Sequence, residues 1–129
     1  MIDYIDPVPP VLKFLKLYMA AEVAGGVTIV GGMFEADERG PALSVKLAGG
    51  APDIGEPYSR IQFLARSDSD VQSLNLVIKA CNTIARYFDH IQGLRVKSVR
   101  IETRPIDTRD ADTNLPESWC YVVIEHMEA

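Results

Sequence analysis

The longest continuous pattern in the chain lies between Tyr58 and Ile91, where an alternating segment runs directly into a helical one. In the first part, Ile61, Phe63 and Ala65 fall on one face and Arg60, Gln62 and Arg66 on the other, as in a half-buried strand. In the second part, apolar side chains recur at steps of three and four, which predicts a helix with one buried face. The predicted buried face consists of Val71, Leu74, Ile78, Cys81, Ala85 and Phe88.

Sequence signals mark both ends of this predicted helix. Ser67, followed three residues later by Asp70, resembles a capping box, which would satisfy free backbone N–H groups. Gly93 marks the end of the helix. The helix would be about 35 Å long at ~1.5 Å per residue, so it could cover several strands. We therefore expect a core in which this helix packs on a sheet.

A second helix is predicted at Val11–Val23, after an extended segment whose Pro10 can occupy the first helical turn. The glycine pair Gly25–Gly26 would end it with a left-handed cap. Most sides of this helix are apolar, although a surface helix normally keeps a polar face. We therefore expect it to have two partners, of which the sheet is one and a neighbouring subunit is a candidate for the other.

Two further strand patterns lie before the strand that begins at Tyr58. Val27–Phe34 is β-branched and bounded by glycine, and Ala42–Ala48 alternates apolar with polar side chains. A charged turn at residues 35–41 separates them, so we expect the two strands to form a hairpin. Residues 49–57 have turn chemistry and would return the chain to the strand that begins at Tyr58.

Two further strands are predicted after the long helix. Val96–Arg104 alternates and is stopped by Pro105, and Trp119–His126 is apolar enough to be buried on both faces. The segment Ile106–Glu117 between them is polar, and it has a length at which loops are more often functional or disordered than incidental. We therefore expect a long polar connection there.

The predicted order of elements is a helix, a three-strand meander, a long helix and two strands. This order predicts an α+β fold with one mostly antiparallel or mixed sheet and helices packed on one face. The length of 129 residues and the 47 % hydrophobic content suit one domain spanning residues 1–129. No apolar run approaches the roughly 20 residues that span a bilayer, and the first residues lack a basic signal-peptide region, so we expect no membrane partner.

Charge and cysteine content narrow the functional classes. The formal net charge of −5 and the pI near 4.9 argue against a free-standing nucleic-acid binder, which needs a basic patch to displace counterions. A local basic patch is compatible with this average. The two cysteines, Cys81 and Cys120, are too few for a disulfide framework and lie in apolar patterns. We expect buried thiols in a protein of a reducing cytoplasm.

A catalytic or metal-binding site finds little support in the sequence. Asp107, Asp110 and Asp112 could collect a divalent cation, but they lack the alternate spacing, central glycine and terminal glutamate of a calcium-binding loop, so a solvated loop is favoured. Of the two histidines, His90 is placed at a helix end, where it would favour the negative end of the dipole, and His126 in a strand. We predict no catalytic residue, no metal and no cofactor.

The polar face of the predicted sheet is the strongest candidate for a functional surface. It is either a solvated face, which antiparallel sheets commonly have, or a protein interface. The long polar connection would extend it. The candidate interface residues are Arg60, Arg66, Arg100, Arg104, Asp107, Arg109, Asp110 and Asp112. The turn Glu35–Arg39 is the candidate source of carboxylates for arginines of a neighbouring copy.

The layout of the whole chain resembles the tail terminator, or tail completion, proteins of long-tailed bacteriophages and related prophages. The resemblance rests on the proline-led helix PPVLKFLKLYM, on the predicted glycine-bounded hairpin, and on RSDSD at residues 66–70 between strand and long helix. It continues with GLRV at residues 93–96, the strand ending at Arg104-Pro105, the polar segment and the closing strand. It covers most of the chain and includes no catalytic signature.

Membership of this family would imply a structural virion protein at the head-proximal end of the tail, assembled in the cytoplasm of the host bacterium. Six copies would form a ring that caps the tail tube, ends its elongation and provides the surface for head-to-tail joining. The implied partners are the protein itself, the major tail tube protein and the head–tail connector or neck protein, with DNA passing through without specific binding. The alternatives are another phage neck or minor capsid (head–tail connector) component, and a small acidic metal-assisted enzyme or a ligand-binding module.

Overall fold

The strands form one sheet, and the helices lie on one of its two faces. The computed structural model describes residues 5–35, 37–51 and 58–128. The helices are α1 (Val8–Tyr18), α2 (Ala20–Ala24) and α3 (Asp70–Tyr87), with a 3₁₀ turn at Phe88–His90. The strands are β1 (Thr28–Gly31), β2 (Ala42–Ala51), β3 (Tyr58–Arg66), β4 (Leu94–Ile101), β5 (Ile106–Arg109) and β6 (Pro116–Glu128). The predicted α+β class, with helices on one face of a mostly antiparallel sheet, is confirmed.

The long strand β6 organises the sheet. The strand order is β1-β2-β3-β6-β4, and β5 also pairs with β6. One side of β6 therefore pairs with β3, while its other side pairs with β5 near its start and with β4 towards its end. All of these pairs are antiparallel. β4 and β1 thus lie at opposite edges of the sheet.

The predicted hairpin between the first two strands is wrong. β1 pairs with β2 in parallel, with Thr28 opposite Ala42 and Ile29 opposite Leu43. The connection between them does not fold back beside β1 as a tight turn, because its residues Phe34 and Glu38 lie on the far side of β2 and contact Arg66 of β3. Charged and glycine-rich composition predicts a connection but carries no information about the direction in which the next strand runs.

The core lies between the sheet and the helices, and the alternation predicted for β3 is confirmed. Ile61, Phe63 and Ala65 are fully buried. Their partners on β6 for the first two positions are Val122 and Cys120, which are also fully buried. α1 adds Val11, Phe14 and Leu15 to the same cluster.

Of the predicted buried face of α3, Cys81 is confirmed, but most of the face is wrong, because the helix is rotated relative to that expectation. Val71 is 67 % exposed and Ile78 is 39 % exposed, whereas Val77 is fully buried. The residues that α3 buries are Ser73, Leu76, Val77, Ala80, Cys81, Thr83 and Ile84. Two of them are hydroxyl residues whose burial is tolerated because Ser73 Oγ donates to the Pro116 carbonyl at 3.1 Å and Thr83 Oγ1 donates to the Lys79 carbonyl at 2.7 Å.

The ends of the helices also differ from the sequence prediction. The N-cap of α3 is Ser69, whose hydroxyl accepts from the Gln72 amide at 3.3 Å, and not Ser67. The helix ends at Tyr87, and Gly93 follows the 3₁₀ turn with a φ of 90°. The predicted helix at Val11–Val23 begins earlier, at Val8, and is interrupted at the fully buried Met19.

Candidate assembly surface

The sheet face opposite the helices has an aromatic centre. Trp119 and Tyr121 of β6 point to this face, since the intervening Cys120 points into the core. Their rings lie 5.2 Å apart in an edge-on arrangement, and both side chains are half-buried. The Arg60 guanidinium lies 5.8 Å from the centre of the Tyr121 ring. The sequence prediction that this strand is buried on both faces did not identify these aromatics as part of an outer surface. The signal that could have done so is their alternate placement in the sequence WCYV.

Arg60, one of the predicted interface residues, is on this face but is already paired within the chain. Its Nη2 donates to Glu102 Oε2 at 3.2 Å. Its Nε lies 3.0 Å from Glu102 Oε1, which makes an ion pair. The N–H at Nε is not aligned with this oxygen, so the contact is not a second hydrogen bond. A half-exposed pair of this kind contributes about 0–1 kcal/mol to stability. Arg60 and Glu102 therefore present a joined, nearly neutral patch beside the aromatic centre.

The placement of Arg66 on an exposed face is wrong, because its side chain is buried in an internal network. Its Nε donates to Glu117 Oε2 at 2.9 Å, its Nη2 lies 3.3 Å from Asp110 Oδ1, and its Nη1 donates to the Glu38 carbonyl at 3.0 Å. The Phe34 ring lies 4.9 Å below the guanidinium. Arg66 is 7 % exposed and Glu117 is 9 % exposed. The network joins β3, β6 and the β1–β2 connection, so Arg66 is not offered to a partner.

The predicted long polar connection at Ile106–Glu117 is also wrong, because this segment is a β-hairpin. Ile106 pairs with Trp119, and Arg109 pairs with Pro116. Between them Asn114 adopts a φ of 58°, a left-handed conformation that asparagine tolerates better than most residues. All four residues of β5 are exposed, so the strand has no apolar periodicity that could reveal it in the sequence.

Asp110 holds the turn of this hairpin. Its Oδ2 accepts from the Thr113 amide at 2.9 Å and from the Thr113 hydroxyl at 2.7 Å. The hydroxyl bond first, and then the amide bond and the charge of Arg66, lower the pKa of Asp110 below its ordinary value. Asp107 accepts from the Ser118 hydroxyl at 2.6 Å, so these two carboxylates serve different structural contacts.

Arg109 ties the hairpin to its surroundings. Its Nη1 donates to the Asn114 carbonyl at 3.0 Å, and its Nη2 lies 3.7 Å from Asp70 at the start of α3. Asp112 is exposed at the tip of the turn. Within residues 5–35, 37–51 and 58–128, no group of three or more His, Cys, Asp or Glu side chains is placed to hold a metal ion.

Among the residues that the structure describes, two exposed charged surfaces lie towards opposite edges of the sheet. The first, the cationic corner, lies on β4 and the residues after it, and it consists of Arg95, Lys97, Arg100 and Arg104. The second, the acidic loop, is the connection at residues 32–41, in which Glu35 and Asp37 are exposed. Met33 of the same loop is 83 % exposed. Of the cationic side chains, Arg100 and Arg104 have no ion pair to another described residue, and Lys97 lies 4.0 Å from Glu125.

These two surfaces belong to opposite edges of the sheet. The cationic corner belongs to the edge strand β4, which pairs with residues 122–128 of β6. The acidic loop joins β1 and β2, which lie at the other edge, and it contacts Arg66 opposite Glu117 at the start of β6. One copy of the chain therefore carries two separate patches of opposite charge.

The two histidines and an open surface cavity lie outside both charged surfaces. The Tyr18 hydroxyl is hydrogen-bonded to His90 Nδ1 at 2.7 Å, a contact between distant residues that no local sequence signal indicates. These two residues line an open cavity of about 380 Å³ between α1 and the 3₁₀ turn, together with Phe14 and Leu17. His126 is buried and hydrogen-bonded through Nε2 to the Ser59 hydroxyl at 2.7 Å, and burial lowers the pKa of His126.

Comparison with known proteins adds no relative to this description. No protein-family model matches the chain, and no curated protein matches it. Among the described residues, no helix is long and apolar enough to cross a membrane.

Proposed function

We propose that this chain is a structural subunit of a long-tailed bacteriophage or prophage, which assembles head to tail into a ring at the head-proximal end of the tail. The ring ends elongation of the tail tube and provides the surface to which the head joins. Two independent considerations support the proposal. One is the resemblance of the whole-chain layout to tail terminator proteins, and the other is the distribution of charge on the surface of the subunit.

The observation that carries the proposal is the separation of the cationic corner from the acidic loop. A closed ring built from identical subunits requires two different, mutually complementary surfaces on each copy, since each subunit contacts its two neighbours differently. The exposed Arg100 and Arg104 on one edge and the exposed Glu35 and Asp37 near the other meet this requirement. Arginine pairs well with carboxylates across such a contact because its planar fork can bind both oxygens.

The proposed position of the contact differs from a sheet-face interface built on all the arginines. Arg66 is satisfied internally, and Arg60 is joined to Glu102, so neither is needed for the neighbour. The outer face with Trp119 and Tyr121 is then left for a partner of the ring, such as the tube protein or the connector protein. DNA would pass through an acidic assembly that holds phosphate weakly.

Charge reversal with compensation tests the contact. The double variant Arg100→Glu/Arg104→Glu should fold normally but fail to form rings, as measured by analytical ultracentrifugation and native mass spectrometry. The double variant Glu35→Lys/Asp37→Lys should fail in the same way. In a chain with all four changes, the charges of the two surfaces are swapped, so the surfaces are complementary again. This variant should regain ring formation.

The matched control is Arg86→Glu, which reverses an exposed cation on α3 away from both surfaces and should leave assembly unchanged. In a phage that carries the Arg100→Glu/Arg104→Glu gene, electron microscopy should show tails that overgrow and fail to join heads. Normal-length tails attached to heads would refute the tail-terminator role. Tails of normal length that are not attached to heads would favour the alternative, in which the chain is a neck component.

A further inference from the structure

The two cysteines meet in the core. Cys81 on α3 and Cys120 on β6 are separated by 39 positions in the sequence, yet their Sγ atoms lie 3.2 Å apart. Both thiols are free, Cys120 is fully buried, and Cys81 is 6 % exposed. The sulfurs need to approach by only about 1.2 Å to reach the length of a disulfide bond.

The environment of the pair distinguishes the roles of the two sulfurs. The hydrogen bond from the Cys120 thiol lowers the pKa of Cys81, and the same contact together with burial raises the pKa of Cys120. A thiolate and not a thiol is the nucleophile in cysteine oxidation. Cys81 is also the one of the two that retains some exposure, so it is the sulfur that a small oxidant reaches first.

We propose that Cys81 and Cys120 form an oxidation site, in which a peroxide converts the two thiols into an intramolecular disulfide that fastens α3 to β6. The Cys81 thiolate attacks one oxygen of hydrogen peroxide, the O–O bond breaks, and a sulfenic acid forms with release of hydroxide, which takes up the thiol proton as water. The Cys120 sulfur then attacks the Cys81 sulfur and a second water leaves. Two thiols and one peroxide thus give one disulfide and two waters.

The position of the bond gives it a structural consequence. β6 pairs with β3, β4 and β5, and α3 is the long helix that packs over these strands. A bond between them would close a loop of about 40 residues, which lowers the entropy of the unfolded chain. The oxidised chain should therefore melt higher than the reduced chain by about 10 °C. This inference does not depend on the proposed ring.

Mass spectrometry of the oxidised full chain tests the inference. Reduced protein is freed of reductant, treated with hydrogen peroxide, quenched with catalase and digested with trypsin. We expect the intact mass to fall by two hydrogen atoms, and the peptide Ala80–Arg86 to be joined to the peptide that begins at Asp110. The higher melting temperature should appear with the bond and disappear on reduction with dithiothreitol.

Cys81→Ala and Cys120→Ala variants provide the controls, and circular dichroism of the reduced variants checks that each is folded. Neither should show a change in melting temperature after oxidation. Oxygen addition at either sulfur without a cross-link, or disulfides between chains, would overturn the inference even if both variants misfold. Wild-type thiols that remain unmodified in the folded chain but react after unfolding in urea would also overturn it.

Discussion

The Arg66 network offers the sharpest test of the fold, because the sequence suggests an exposed arginine where the structure buries one. Replacing Arg66 with methionine keeps an apolar stem of similar length but removes the charge that the Glu117 carboxylate faces at 2.9 Å. The side chains of both partners are about nine-tenths buried, at 8 % and 11 % exposed. Removing one partner of such a pair costs about 3–5 kcal/mol, since it leaves an uncompensated buried charge.

That loss is large against the stability of about 5–15 kcal/mol expected for a domain. At a urea dependence of about 2 kcal/mol per M, it moves the unfolding midpoint down by about 2 M. The assay is urea unfolding followed by tryptophan fluorescence, for which Trp119 is the reporter. The double variant Arg66→Met/Glu117→Met should recover at least half of the loss, because no buried charge is then left unpaired.

Arg100→Met is the matched control, since Arg100 is exposed and should cost no more than about 0.5 kcal/mol. If Arg66→Met and Arg100→Met had the same unfolding midpoint, the buried network would be refuted. A double variant less stable than Arg66→Met would refute the explanation by an unpaired carboxylate.

Three further outcomes are expected from single positions. Val77→Asp should unfold the domain by placing a charge in the core, whereas Ile78→Asp should shift the melting temperature little, and equal melting temperatures would contradict the orientation of α3. Because residue 114 has a φ of 58°, Asn114→Val should lower the free energy of unfolding by about 1–2 kcal/mol, and Asn114→Gly should lower it less. The reverse order in urea unfolding would contradict the left-handed conformation of this residue. Burial lowers the pKa of His126 from 6.5, so the unfolded chain binds this proton at higher pH and stability falls as pH drops below about 6.5. Between pH 7.5 and 5.5, the His126→Gln variant should lose less free energy of unfolding than the wild type. Equal losses in the two proteins would contradict the role of His126 in the pH dependence.

The features that the sequence predicts correctly are those set by strong local periodicity. In β3, half-buried and buried positions alternate from Tyr58 to Ala65, so Ile61, Phe63 and Ala65 identify the core face before any partner strand is known. The same holds for the α+β class, because a strand followed by a long amphipathic helix already requires a sheet with a helix on it.

The features that it does not predict depend on specific distant partners. Ser73 and Thr83 are buried only because particular carbonyls accept their hydroxyl protons, so a hydrophobicity pattern counts them as surface residues and selects the wrong stripe of α3. β5 is a strand because β6 is long enough to pair with both it and β4. Arg66 alternates like an exposed residue, and only the contacts with Glu117 and Phe34 reveal its burial.

The candidate assembly surface was likewise predictable from the sequence in part: its residues were, but their positions relative to one another were not. Exposed Arg100 and Arg104 were recognisable from their alternation on a polar strand face, and Glu35 and Asp37 from the charge of their turn. Their location at opposite edges of the sheet depends on the strand order, and above all on β6 being inserted between β3 and β4. No local pattern specifies that insertion.

A cryo-electron microscopy structure of the assembled wild-type protein on its tail tests the central claim most directly. We predict a closed ring in which Arg100 and Arg104 of each copy lie within ion-pair distance of Glu35 or Asp37 of the next copy, in the same order around the ring. A twofold dimer that joins identical surfaces, or a ring in which these side chains face solvent, would contradict the account.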